Sequence, residues 1–253
     1  MWGAIVTIFN TLIFEPLVNL LATVLFVVPG DSLGLAVIIV VVLVRLILFF
    51  PSARAQKKQL LLQAKLAAMR PELKRIQKKH KSDRAAQAQA QMELYKQHGL
   101  SPLSPFGTMF FFLFTQVPIF LGLYRLFLAE VNGRDISAFL YSFTPNPDAV
   151  QHVFLGMNLT EPVVVLALAA GVAQFLQARS LSAATKPKDG AQESGEADLQ
   201  ASVNSSMKYV FPVLIVGWGL FLPGGLTLYW AVNSLFSVGQ QYIIQRSIDK
   251  DSE

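Results

Sequence analysis

Apolar residues gather along this chain into blocks of about 18–25, long enough at about 1.5 Å per residue to cross roughly 30 Å of hydrocarbon. Leu33 to Phe50 is the clearest block; it ends at Pro51 and contains one charge, Arg45. Residues 106–128 form a second, Pro162 to Ala178 a third and Tyr209 to Leu222 a fourth. Leu226 to Ile244 is the fifth, after the break at Pro223-Gly224-Gly225. An earlier block, Ile5 to Val28, is interrupted by Asn10, Glu15, Pro16 and Asn19. A Glu-Pro pair is costly at the bilayer centre, where every charge and backbone group needs a partner. Thr11–Val28 therefore reads as an amphipathic helix in the outer interface, the alternative being a poor first span.

The stretch after the first span carries a different period. Leu62, Leu66, Met69, Leu73 and Ile76 are spaced 4, 3, 4, 3, and Ala85, Ala88, Met92 and Tyr95 are spaced 3, 4, 3. With Lys81-Ser82-Asp83 as a turn, the two stripes predict an antiparallel helical hairpin, kinked in its first arm by Pro71. Residues 182–206 have no apolar stripe and the composition of a disordered linker. The expected fold is an all-α integral membrane protein: a five-span helical bundle with a cytoplasmic helical hairpin and an outer interfacial amphipathic helix. Its segments are 1–31 (interfacial), 32–51 (first span), 52–105 (hairpin), 106–128 (second span), 129–161 (extracytoplasmic loop), 162–178 (third span), 179–208 (cytoplasmic linker), 209–222 (fourth span), 223–245 (fifth span) and 246–253 (short tail).

Charge orients this arrangement. The formal net charge is +5, but twelve Lys/Arg fall between Pro51 and Leu103, against Glu72, Asp83 and Glu93. Basic short loops stay in the cytoplasm, so this segment is cytoplasmic. Glu130 to Glu161 holds Arg134 against Glu130, Asp135, Asp148 and Glu161, and is placed outside. Alternation then puts the N-terminus outside and the C-terminus in the cytoplasm of a cell inner membrane. The basic hairpin suits anionic lipid headgroups or RNA-containing partners. The chain has no Cys, which excludes disulfides, cysteine metal sites and a lipoprotein anchor. Residues 1–4 lack the basic start of a usual signal peptide.

Arg45 is the most informative residue. A central Arg costs about 2.5–3.5 kcal/mol on insertion scales. It lies six residues before Pro51, about 9 Å of helix, so its stem could snorkel to the cytoplasmic headgroups. The other reading is a hydrated cavity open to the cytoplasm, because the later spans offer no Asp or Glu as counter-ion. Gln116, Gln174, Gln177, Tyr229, Trp230 and Asn233 could line such a cavity, although Gln and Asn also bond neighbouring helices and Trp and Tyr mark interfaces. Conventional catalysis finds no support. Gly30-Asp31-Ser32-Leu33-Gly34 matches a nucleophile elbow without the preceding strand. His80, His98 and His152 fall in loops, and no phosphate-binding Gly-Lys-Ser/Thr loop exists. Asn158-Leu159-Thr160 fits a glycosylation sequon, a common chance match. Neither a cofactor nor an enzymatic reaction is expected.

In order and spacing, GLAVIIVVVLVRLILFFP (34–51), MRPELKRIQKKHK (69–81), LYKQHGLSPL (94–103), TQVPIFLGLYRLF (115–127) and FLPGGLTLYWAVNSLFSVGQQYII (221–244) resemble the YidC/Oxa/Alb family of membrane protein insertases. The resemblance covers about residues 11 to 246. It implies a groove open to cytoplasm and lipid but closed outside, with Arg45 at the family's groove arginine. Gln116 and Pro118 match its Gln-Met-Pro motif, Val117 replacing Met, and Tyr229 and Trp230 match the aromatic pair of the last span. Val41 stands where some members carry a hydroxyl, and Ser101 replaces a frequent Asn. Neither a basic ribosome-binding tail nor a large extracytoplasmic domain is expected. The implied function is chaperoned insertion of nascent membrane proteins, with the Sec translocon, ribosome and signal recognition particle machinery as further partners and no DNA. An anion or small-solute transporter is the alternative, weakened by the missing acidic relay and the lack of inverted repeats. An assembly scaffold is a third class.

Overall fold

The computed structural model of the chain describes residues 2–100, 117, 119–128, 137–146, 150–184 and 198–250. These residues are predominantly helical. α1 (Trp2–Phe9), a π-turn (Asn10–Phe14) and α2 (Glu15–Val27) make one continuous apolar helix. The π-turn carries the helix past Pro16. The Glu15 N–H reaches back five residues to the Asn10 carbonyl, which shifts the register just before the residue that has no N–H.

α3 (Leu33–Ile47) and α4 (Phe49–Ala68) meet at Leu48 with a bend of 61°. The break thus comes three residues before Pro51, where the sequence placed it. In a straight helix the Pro51 ring would strike the carbonyl four residues earlier, that of Ile47. Breaking at Leu48 moves Pro51 into the first turn of α4, where its missing N–H has no intrahelical acceptor to lose.

Met69 separates α4 from α5 (Arg70–Lys79), and Pro71 sits in the first turn of α5. The chain reverses at 80–82, and Asp83 caps α6 (Arg84–Gln97) by accepting from the Ala85 and Ala86 N–H groups, each at 3.0 Å. Gly99, at φ 64°, ends α6. α5 and α6 pack together, but not on the face expected for α6. Ala85, Ala88 and Met92 are exposed, whereas Leu94 is buried and Gln87 and Ala90 are partly covered. Alanines bury too little area to set the phase, so the choice fell between Met92 and Leu94. A face centred on Met92 would draw Lys96, four residues on, toward α5; the Leu94 face leaves Arg84, Glu93 and Lys96 in water. Leu94→Asp is therefore expected to loosen the hairpin by about 2–4 kcal/mol, and Met92→Asp by far less. Limited proteolysis at Lys81 checks this, and equal cleavage of the two variants would refute the assigned face.

α7 (Ile119–Leu128), α8 (Val164–Ala184), α9 (Asp198–Gly219) and α10 (Gly224–Lys250) complete the bundle. α8 and α9 run into the segment expected to be a disordered linker, whose residues 185–197 lie outside the described ones. Extension of α8 is held by tertiary bonds: Gln245 Nε2 donates to the Ser180 carbonyl at 3.3 Å, and the Ser180 hydroxyl donates to Gln241 Oε1. α10 packs along α8, α3 and α4, and α9 packs on α8 through small residues. A Cβ on Gly219 would lie 2.8 Å from that of Ala167, and one on Gly171 would strike Val216. Close approach of this kind is how helices associate in lipid.

One core joins Phe14, Val18 and Leu21 of the first helix with Val37, Val40 and Val41 of α3, Leu123 and Phe127 of α7, and Leu226 and Tyr229 of α10. One end of it is strapped by a segment the sequence left as plain loop. β1 (Val153–Phe154) pairs antiparallel with β2 (Met157–Asn158) across Leu155-Gly156, both at positive φ as a two-residue hairpin requires. The Gln151 backbone bonds Leu33 and Asp31, and the Gly224 and Gly225 N–H groups donate to Glu161 and Leu159, so the strap ties α3 to α10. The sequon is turn chemistry here: Asn158 Oδ1 accepts from the Thr160 N–H and hydroxyl.

Among the described residues, Val6–Val27 and the bent pair Leu33–Ile47 with Phe49–Leu62 are long and apolar enough to cross a membrane. α7, α8 and α9 add the apolar stretches Ile119–Leu128, Val164–Ser180 and Lys208–Gly219. The exterior is apolar in stripes, such as Leu35, Ile39, Leu43 and Leu46 on α3 and Val165, Leu168, Val172 and Leu176 on α8. Buried between helices are Asn233, Ser234, Ser237, Gln240 and Gln241. Apolar stripes facing out around polar contacts facing in suit a hydrocarbon solvent.

Candidate polar groove around Arg45

Arg45 lies in the last turn of α3 and faces α10, where Tyr229 and Asn233 stand one helical turn apart on the same side. The Arg45 Nε donates to Asn233 Oδ1 at 2.7 Å, a charge-assisted bond. Asn233 and Tyr229 are buried, 5% and 2% exposed, so neither swings freely. Around them is a cavity of about 10 Å³ lined by Leu17, Val40, Val41, Val44, Ile119 and Leu123 as well as the three polar residues. That volume accommodates about one water. Its walls are apolar on the α2 and α7 sides and at the valines of α3, and polar at Arg45 and on the α10 side. Val41, where a hydroxyl was absent from the sequence, is one of the apolar walls.

Other residues proposed from the sequence fall elsewhere. Gln174 and Trp230 meet each other on the α8 side of α10: Gln174 Oε1 accepts from Trp230 Nε1 at 3.0 Å and from the Ser234 hydroxyl at 3.2 Å. The Trp230 ring stands edge-on to Phe120 of α7 at 5.5 Å. This is a helix seam adjoining the cavity, not part of its lining. Gln116 and Pro118 lie outside the described residues; Val117 between them is partly buried. His80 and His98 end α5 and α6, and His152 lies in the strap, so the three histidines share no site. Among the described residues no group of acidic, His or Cys side chains could hold a metal. Ser32 precedes α3 after a 3₁₀ turn, without a nucleophile elbow's strand.

Sequence reasoning missed the continuation of the polar face along α10. Ser237 donates its hydroxyl to the Asn233 carbonyl at 2.9 Å, and Gln240 Nε2 donates to Ser52 Oγ at the base of α4 at 2.7 Å. The signal was present: Asn233, Ser234, Ser237, Gln240 and Gln241 recur at i, i+1, i+4, i+7 and i+8, one face of a helix whose other positions are largely apolar. Hence the polar seam runs from Arg45 to the hairpin's base.

An apolar exterior enclosing a buried polar seam defines an α-helical integral membrane protein. Residues 24–251 match the profile of the family described as 60Kd inner membrane protein, and the chain belongs to this family, that of YidC/Oxa/Alb proteins. It is 32% identical over 213 residues to the "Membrane protein insertase YidC" of Francisella tularensis subsp. novicida (strain U112), covering 84% of this chain and 32% of that one. Proteins of the same name from subsp. tularensis (strain SCHU S4 / Schu 4) and subsp. holarctica (strain LVS) match to the same extent. The chain spans about a third of the length of these curated relatives.

Proposed function

We propose that this chain is a membrane protein insertase, in which the Arg45 cavity lowers the cost of bringing a short polar client segment partway across the bilayer. The observation that carries the reading is a positive side chain held by Asn233 inside apolar walls, at the head of a polar seam leading to a basic hairpin. A client's polar groups exchange into that seam, and its apolar segment passes between α7 and α10 into lipid, where burial drives the step. Ile119 and Leu123 of α7 wall the cavity on this side and must separate from α10 as the client enters. No client bond changes, so the step is not enzymatic. The hairpin receives the nascent chain, alone or from the Sec translocon, the ribosome or the signal recognition particle. The relatives' name speaks for insertion and lends nothing to the transporter alternative.

The bundle is proposed to cross the inner membrane five times, with the hairpin and C-terminus in the cytoplasm. The first helix is assigned to the outer interface because its polar and aromatic contacts from Asn10 to Asn19 go to elements placed outside. Asn10 accepts from Arg125 Nη1 at 2.6 Å, and Phe14 meets Phe139 edge-on at 5.0 Å. Asn19 donates to the Phe139 carbonyl and accepts from the Tyr141 N–H, and the Asp31 carbonyl accepts from Gln151. Two measurements test the whole reading. Reporters within 52–100 should read cytoplasmic and within 137–146 extracytoplasmic, and photo-crosslinkers at 119 and 229 should capture a nascent membrane protein. Inverted reporters sink the topology; crosslinks to lipid alone sink the client path.

A further inference from the structure

The hairpin's leading arm, α4, carries a feature that client handling leaves unexplained. The exposed positions of α4 include Phe50, Arg54, Lys58, Leu61 and Lys65, spaced 4, 4, 3, 4, so at 100° per residue they fall on one face about 80° wide. α4 contains no Asp or Glu. Two large apolar side chains stand in that basic face, Phe50 71% and Leu61 46% exposed. The opposite side is anchored: Ser52 accepts from Gln240 and Leu60 is buried. The stripe therefore cannot rotate inward without breaking the Gln240 bond.

Its direction follows from the bend. α4 leaves α3 at 61°. With α3 close to the bilayer normal, α4 runs at a shallow angle to the membrane plane rather than straight into the cytoplasm. The outward apolar side chains Leu46 and Ile47, at the end of α3, pass directly into Phe50, so a lipid-facing surface continues onto the basic stripe. We propose that the Phe50-to-Lys65 face of α4 is a docking surface for the anionic bilayer itself, with Phe50 and Leu61 seated at the acyl boundary and Arg54, Lys58 and Lys65 on phospholipid phosphates. Charge complementarity and continuity with the α3 exterior select lipid over a protein partner. An amphipathic basic helix lying in the interface is a known way to hold an element at the membrane surface. Here it would hold the hairpin's base beside the Arg45 cavity while α5 and α6 stay in water. The inference rests on α3 crossing the bilayer as proposed above.

The chain's lack of cysteine allows single-site labelling of the full-length protein. Environment-sensitive labels are placed at Leu61, at Leu43 as a control for the span, and at Met92 as a control for the aqueous arm. Each is reconstituted in nanodiscs of phosphatidylcholine alone or with phosphatidylglycerol. The Leu61 label should be quenched by a lipid-soluble agent and shielded from a water-soluble one when phosphatidylglycerol is present, and much less so without it. Each basic side chain at an anionic surface favours contact by about fivefold, so the variant R54E/K58E/K65E should lose at least about a hundredfold in the bound-to-free ratio at Leu61. High salt should act in the same direction. An aqueous Leu61 label in both compositions overturns the proposal, as does equal burial in both, which would mean apolar contact without headgroup recognition. Shielding only on addition of a client polypeptide would assign the face to protein and overturn it too. Failure of the Leu43 label to meet lipid would instead overturn the spanning of α3, so the two failures are distinguishable.

Discussion

Gly225→Ala is expected to destabilise the protein by about 3 kcal/mol, lowering its thermal midpoint in detergent by roughly 6–12 °C. A Cβ at Gly225 would collide with the Phe127 ring, which is 1% exposed and packed between α7 and α10. Neither partner can retreat easily. The Gly225 N–H is bonded to the Leu159 carbonyl at 3.0 Å and that of Gly224 to Glu161 at 2.8 Å, so the strap fixes the start of α10. Gly217→Ala provides the contrast, since nothing lies within 4 Å of the point its methyl group would occupy and α9 gains helix propensity worth about 1 kcal/mol. Phe127→Leu should partly rescue Gly225→Ala by vacating the space. Equal midpoints for Gly225→Ala and Gly217→Ala would show that the α7–α10 contact is not tight.

The sequence made the helices legible because lipid and water impose long, one-sided patterns. Block length exposed the long apolar helices, and the three- and four-residue spacing of apolar positions exposed the hairpin. What escaped it depended on contacts between distant residues. The end of α3 was misplaced because Pro51 acts on the carbonyl of Ile47, behind it in the chain. The phase of α6 was misread because the two alanines of its stripe, Ala85 and Ala88, carry too little burial energy to choose a face. The strap at 150–161 was invisible as structure because its strands are two residues each, fixed by backbone bonds to Asp31, Leu33, Gly224 and Gly225. For the site, Arg45 stood out by its cost in an apolar block, whereas Asn233 could be named but not assigned to it. The partner became visible only when α10 was laid beside α3. Gln174 and Trp230 looked equivalent to Asn233 in sequence, yet a rotation of one residue along α10 turns Trp230 toward α8.

Arg45→Ala should reduce insertion most for clients whose translocated segment carries charge, and least for clients whose segment is neutral. A charge at the bilayer centre costs about 2.5–3.5 kcal/mol, so the largest selective loss is about a hundredfold. Arg45→Lys should retain most activity, because an ammonium at the same position can still donate to Asn233 Oδ1, although it lacks the fixed Nε geometry. Asn233→Ala should fall between, since it keeps the charge but removes the group that orients it; a charge-assisted bond of about 1.5 kcal/mol corresponds to roughly a tenfold loss. The two residues act as a unit, so the double variant should be no worse than Arg45→Ala alone. Snorkelling predicts a different set of results. If the guanidinium serves only to reach the cytoplasmic headgroups, alanine removes a surface contact and eases burial, and every client tolerates it. The measurement is insertion of paired clients differing in one charged residue of the translocated segment. Reactivity of the Arg45→Cys variant toward a water-soluble thiol reagent gives a second reading. Uniform activity of Arg45→Ala across the pairs, together with an unreactive thiol in Arg45→Cys, would remove the groove from the mechanism.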